Sequence, residues 1–198
     1  MIEKFKQIYT EHITRPGADK LLAWLESSDF FTAPASTRFH LCRPGGLVEH
    51  SVHVYERLKS LYWNEYEGFF PADEIITPIQ AESIAICGLL HDVCKANFYA
   101  IEMRNKKNEQ GIWEQVPFYT VKDQLPYGHG EKSVYIISSF MKLTREEAMA
   151  IRWHMGGFDD SVKGGCYAMG EAYNRHPLAV LTHIADLMAT HLDEVEEA

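Results

Sequence analysis

The chain has 198 residues, 46% hydrophobic and 24% charged, with a formal net charge of −9. That length suits one domain able to bury a sizeable core without staples. The acidic balance argues against a duplex nucleic-acid partner, which needs a basic face to neutralise phosphates.

The N-terminal MIEKFKQIYTEHITRPG is charged and amphipathic, unlike a signal peptide, and the chain has no apolar run long enough for a membrane span. No membrane partner and a cytoplasmic location are therefore expected. Cys42, Cys87, Cys94 and Cys166 form no CxxC pair, so reduced thiols acting as small apolar core residues are expected.

Leu21, Leu22, Trp24 and Leu25 predict a short helix ending near Ser27 and Ser28. The following FFTAPASTRFHLCRPGG is too rich in proline and glycine for regular structure. Leu47, Val54, Leu58 and Leu61 form one apolar stripe of the next helix, and His50 lies on it. PIQAESIAICGLLHD is apolar nearly all round in its second half, which predicts a central buried helix. Residues 98–121 place aromatic and β-branched residues on either side of a polar turn, NKKNEQG, and predict a β-hairpin. GEKSVYIISSFMKL, TREEAMAIRWHM and PLAVLTHIADLMATHLDEVEE predict three more helices, the second opened by a Thr144–Glu147 capping box. The expected fold is all-α: a single domain over 1–198, a helical bundle with its core at about 40–190, carrying a small β-hairpin insertion at about 98–121. The closing DEVEEA reads as a solvated, fraying tail.

GLLHDVCK sets His91 and Asp92 side by side at the end of the most buried helix. A buried carboxylate costs several kcal/mol or more unless something pairs with it. His50, His129, His154 and Asp186 each lie on the apolar or inward face of a separate predicted helix. One core histidine is generally satisfied by a single hydrogen bond, but four imidazoles and two carboxylates converging in a bundle call for cations. Adjacent helical residues point about 100° apart, so His91 and Asp92 reach one ion only near a helix end, where Asp92 can also lean toward a second. Fe or Mn fits this donor set first, and Zn, Ni or Co also suit it.

The order His50, His91–Asp92, His129, His154, Asp186 resembles the HD-domain metal-dependent phosphohydrolase superfamily, whose first ligand helix is similar to RPGGLVEHS, its signature to LLHDVCK and its last ligand segment to HIAD. The resemblance implies an all-α fold and two divalent transition metal ions. His50, His91, Asp92 and Asp186 would hold one, and His129 and His154 the other, with Asp92 and a hydroxide bridging them. The chain departs from common patterns at Cys94, where glycine is frequent before the lysine, in the long gap between His50 and His91, and in lacking the Gly-Tyr-Pro element of the cyclic-di-nucleotide branch.

The implied reaction is hydrolysis of a small phosphorylated substrate, a nucleotide or related phosphate ester, through the metal-bridging hydroxide. Asp92 and Lys95 are the catalytic candidates, and Lys95 also a substrate-phosphate contact, with Arg43, Lys132 and Arg152 as further anion contacts. Trp113, Phe118, Tyr119 and Tyr127 are read as covering the bundle's apolar edge or walling the site. His53 is read as structural, as supporting a ligand or as protonating a leaving group, His183 as structural or as hydrogen-bonding Asp186, and His12, His40, His176 and His191 as surface or packing residues. A second reading is a di-iron oxygenase, since the inositol and aminophosphonate oxygenases resemble the same superfamily and share the six-ligand order.

Overall fold

The computed structural model describes residues 1–195. Helices α1 (Ile2–His12) and α2 (Ala18–Ser27) lead through an irregular loop into the long α3 (Gly46–Tyr66). A single turn, α4 (Ala72–Ile75), precedes the central α5 (Pro78–Leu90) and a 3₁₀ turn, Val93–Lys95. Strands β1 (Tyr99–Lys107) and β2 (Trp113–Val121) pair antiparallel, with Tyr99 opposite Val121 and Lys107 opposite Trp113. Then come α6 (His129–Ser138), α7 (Arg145–Arg152), a 3₁₀ turn at Gly156–Phe158, the short α8 (Asp160–Lys163), α9 (Ala168–Arg175) and α10 (Pro177–Met188). The last helix runs on into a π-helical turn, Ala189–Asp193. The predicted helices and hairpin are present, and α1, read only as an amphipathic segment, is a helix that buries Phe5 and Tyr9.

Every residue from Ile84 to Leu90 is buried, so α5 fills the middle of the bundle. Burying each large apolar side chain there contributes roughly 1.5–3 kcal/mol. Helix α5 packs along α3, and α10 lies against both α3 and α7, while α6 covers α7. Two glycines set the separations that matter for the site. A Cβ on Gly88 would lie 2.5 Å from the Tyr55 Cα, so only glycine lets α5 approach α3 this closely. A Cβ on Gly130 would lie 2.2 Å from the Arg152 carbonyl oxygen, and its absence lets the start of α6 rest on the end of α7. His129 and His154 adjoin that contact, with ring centroids 5.0 Å apart.

The α7 start is capped as predicted: the Glu147 amide donates to the Thr144 hydroxyl, and the Thr144 amide donates to the Glu147 carboxylate. That carboxylate is buried and also receives Arg15, which bridges to Glu82 of α5 at 3.0 Å and to Glu147 at 2.7 Å. Burial opposes ionisation of Glu147, but hydrogen bonds from Arg15, Ser83 and the Thr144 amide hold its carboxyl below the ordinary value. A carboxyl held down in the folded state adds stability that is complete above its unfolded value, about 4.3, and is lost as pH falls through the folded value. Glu147→Gln is therefore expected to lower stability at neutral pH and to flatten its decline on acidification, followed as urea midpoints from about pH 6 to 3. An unchanged slope would show that this network does not titrate with unfolding.

Candidate metal centre

Helix α5 ends where its apolar run ends. His91 keeps helical backbone angles, Asp92 leaves them at φ −103°, ψ 18°, and the 3₁₀ turn carries the chain away. The two side chains enter the core together, His91 with 0% and Asp92 with 2% of its surface exposed. His50 arrives from the second turn of α3, its Nε2 lying 3.2 Å from His91 Nε2, 3.3 Å from Asp186 Oδ1 and 3.7 Å from Asp92 Oδ2. On the other side, Asp92 Oδ1 is 2.7 Å from His129 Nε2 and 3.5 Å from His154 Nε2. The other five predicted ligand side chains therefore gather with Asp92, from α3, the end of α5, α6, the turn after α7, and α10.

The imidazoles are aimed by the nitrogens that face away from this centre. His91 Nδ1 donates to the Gly88 carbonyl at 2.9 Å, and His154 Nδ1 to the Ile151 carbonyl at 2.7 Å. A carbonyl only accepts, so both rings carry the proton on Nδ1 and present an Nε2 lone pair to Asp92. Burial pushes His91 down to about 3, keeping it neutral. Asp92 is held well below the ordinary carboxylate range: burial opposes this, and Lys95 and the hydrogen-bonded His129 outweigh it. His154 Nε2, fully buried, makes no hydrogen bond among the described residues. An orphaned imidazole nitrogen beside a carboxylate, with two further donor sets converging on the same residue, fits a divalent cation better than a hydrogen-bonded core. Each of the groups His50–His91–Asp186 and His91–Asp92–His154 keeps its donor atoms within 4.8 Å of one another.

His50 differs from the other candidate ligands because its outward nitrogen meets a carboxylate. Glu194 places both oxygens 3.1 Å from His50 Nδ1 and also lies 2.9 Å from His53 Nδ1. This overturns the expectation of a solvated tail for the first residues of DEVEEA. Glu194 is 5% exposed, and Asp193 pairs with Arg57. The physical reason is the π-helical turn, in which the Glu194 amide donates to the Ala189 carbonyl five residues earlier, shifting the helical phase and turning Glu194 inward. Residues 196–198 of that segment lie outside the described residues. His40, read as a surface or packing residue, stands with its ring centroid 5.0 Å from that of His50. His183 meets the His154 carbonyl at 2.6 Å and so braces the turn that carries His154.

Beside the cluster opens a cavity of about 710 Å³ whose walls include Phe39, Met155, Phe158 and Leu187, with His40 and Lys163 also lining it. Lys95 reaches it from the 3₁₀ turn, its Nζ 2.7 Å from Asp92 Oδ2 and 2.8 Å from the Ala35 carbonyl. The other cations expected to contact substrate are held by carboxylates elsewhere. Arg43 pairs with Glu49 at 2.7 Å. Lys132 pairs with Asp123 at 2.6 Å and lies over the Phe98 ring. Arg152 is bound by Glu131 and Asp159. In a chain with this acidic excess, a cation near the site in sequence finds a carboxylate before it finds the cavity. The hairpin does not wall the cavity either: Trp113 and Tyr127 are exposed, Phe118 carries the Arg104 guanidinium, and Phe39 and Phe158 stand where aromatic walls were expected.

A carboxylate behind a ligating imidazole fixes its orientation and raises its basicity, and its loss weakens metal binding about 10–100-fold. Glu194→Ala is expected to weaken binding of the first divalent ion by that factor without loss of helix content, read by competition with a chelating dye and circular dichroism. Unchanged affinity would make Glu194 a packing residue only.

Among the described residues no helix is long and apolar enough to cross a membrane. No curated protein and no solved structure matches the chain significantly. A family model described as HD domain matches residues 47–191, a span that contains all six residues of this cluster. With that match over most of its length, the chain belongs to the HD-domain family.

Proposed function

We propose that the protein is a metal-dependent hydrolase of a small nucleotide or related phosphate ester. The HD-domain family is one of metal-dependent phosphohydrolases. The observation that carries the reading is the division of Asp92, one oxygen facing His50 and His91, the other His129 and His154. His50, His91, Asp92 and Asp186 would hold one divalent cation, and Asp92, His129 and His154 a second. When bound, the cations supply Lewis acidity, bringing deprotonation of water toward neutral pH and drawing charge from phosphoryl oxygens.

The remaining residues bind and orient. The Lys95 ammonium has three donors, of which Asp92 and the Ala35 carbonyl take two, so one remains for a substrate phosphate oxygen at the cavity. Burial disfavours its charge, but Asp92 outweighs burial and keeps Lys95 protonated. Phe39 and Phe158 flank the outer cavity with exposed rings, which suit stacking of a planar nucleobase. Fe or Mn suits the imidazole and carboxylate donors. No observation favours the oxygenase reading.

The test is metal analysis of anaerobically purified protein followed by a panel of nucleotides and phosphodiesters with Mn(II) or Fe(II). Metal-dependent release of phosphate or a monoester is expected. Asp92→Ala is expected to lose both ions and roughly three orders of magnitude in kcat/KM, about 4 kcal/mol of transition-state stabilisation. His129→Ala is expected to keep the first ion and bind the second poorly. Equal metal content in wild type and Asp92→Ala, or substrate-dependent oxygen uptake in place of hydrolysis, would contradict the proposal.

A further inference from the structure

On the reading that cations flank Asp92 on both sides, we propose that Cys94 ligates the second one through its sulfur. That site would then be a thiolate, imidazole and carboxylate centre that selects Zn(II) or Fe(II) over Mn(II). The cysteines were expected to serve as small apolar core residues, and Cys87 does so, fully buried in α5 among apolar side chains. Cys94 is placed differently. It is 2% exposed, and its Sγ lies 3.4 Å from Nδ1 and 3.8 Å from Nε2 of His129. Asp92, Cys94 and His129 each offer a donor atom within 4.8 Å of the other two. Donors bound to one ion through bonds of about 2.0–2.3 Å stand roughly 3–4 Å apart.

An observation independent of the thiol points to a ligand at the same place. His154 Nε2, fully buried and without a hydrogen bond, is aimed at Asp92 Oδ1, the oxygen that His129 Nε2 also meets. A cation there would satisfy that nitrogen. The backbone holds Cys94 in position, its amide donating to Ser133 Oγ of α6 at 3.2 Å, so the 3₁₀ turn and the helix bearing His129 are tied together.

Binding would exchange the thiol proton for a metal–sulfur bond, the proton leaving to buffer. Soft sulfur disfavours Mn(II), whereas the oxygen and nitrogen donors around His50 and Asp186 accept it. The two positions thus differ in metal preference.

Anaerobic titration of the full chain with Co(II) tests this. Two equivalents are expected to bind, with a sulfur-to-cobalt charge-transfer band in the near ultraviolet that follows the second. The band is expected to vanish in Cys94→Ser and Cys94→Ala, which keep the first equivalent and bind the second more weakly by at least the roughly 10-fold that loss of a mere orienting partner costs. In wild type, loading is expected to slow alkylation of Cys94 at least about tenfold relative to Cys166, read by mass spectrometry. Two equivalents bound with no such band and no protection would overturn sulfur ligation and leave the two-cation reading standing. Uptake that stops at one equivalent without the band would overturn both.

Discussion

One buried carboxylate organises this molecule. Asp92 is 2% exposed, and apart from the adjoining His91 the groups around it come from other parts of the chain or from the turn that follows it. Its Oδ1 faces His129 and His154, and its Oδ2 faces Lys95 at 2.7 Å with His91 and His50 at 3.6 and 3.7 Å. Helix α5 cannot neutralise that charge from its own residues, because everything between Ile84 and Leu90 is apolar or glycine. The fold therefore brings α3, α6, the end of α7 and α10 to the place where α5 stops. The close approaches at Gly88 and Gly130 serve this convergence directly, one setting α3 against α5 and the other α6 against α7.

The candidate ligand side chains were legible in the sequence because His50, His129 and Asp186 sit on helices and His91, Asp92 and His154 just past the ends of helices whose faces could be read from their apolar neighbours. His50 shares a stripe with Leu47, Val54 and Leu58, and all four are buried. The hairpin was legible from its strand-forming flanks and polar turn, and the α7 start from its Thr144–Glu147 spacing. Glu194 was not, because a π-helical turn shifts the phase of the helix, and no periodicity fitted to α10 predicts which way the next residue faces. His40 was hidden for a related reason: it comes from an irregular loop, where sequence spacing carries no direction. Arg43, Lys132 and Arg152 show the limit of arguing from proximity along the chain. Each lies within a few residues of a ligand, yet their long side chains pair with Glu49, Asp123, Glu131 and Asp159.

The groups behind the ligands give the centre two unlike ends. His91 and His154 lean on neutral carbonyls three residues earlier in their own segments, which fixes their tautomer with little added charge. His50 leans on Glu194, so it is the more basic donor, and His40 and His53 share the same carboxylate neighbourhood. Second partners of this kind tune affinity and the acidity of bound water. The end formed by His50 and Asp186 borders the apolar cavity, and the end formed by His129 and His154 borders a second cavity through His129, beside Cys94 and the α6–α7 contact. A difference in the charge behind the imidazoles thus runs along one line through Asp92.

The central claim, that paired cations compensate for the buried polarity around Asp92, is tested most directly by anomalous diffraction from crystals grown with Zn(II). Two peaks are predicted on opposite sides of Asp92, one within about 2.0–2.2 Å of donors from His50, His91 and Asp186, the other within that distance of His129 and His154. A cluster with no anomalous peak, or with His50 and Asp186 turned outward to solvent, would contradict it.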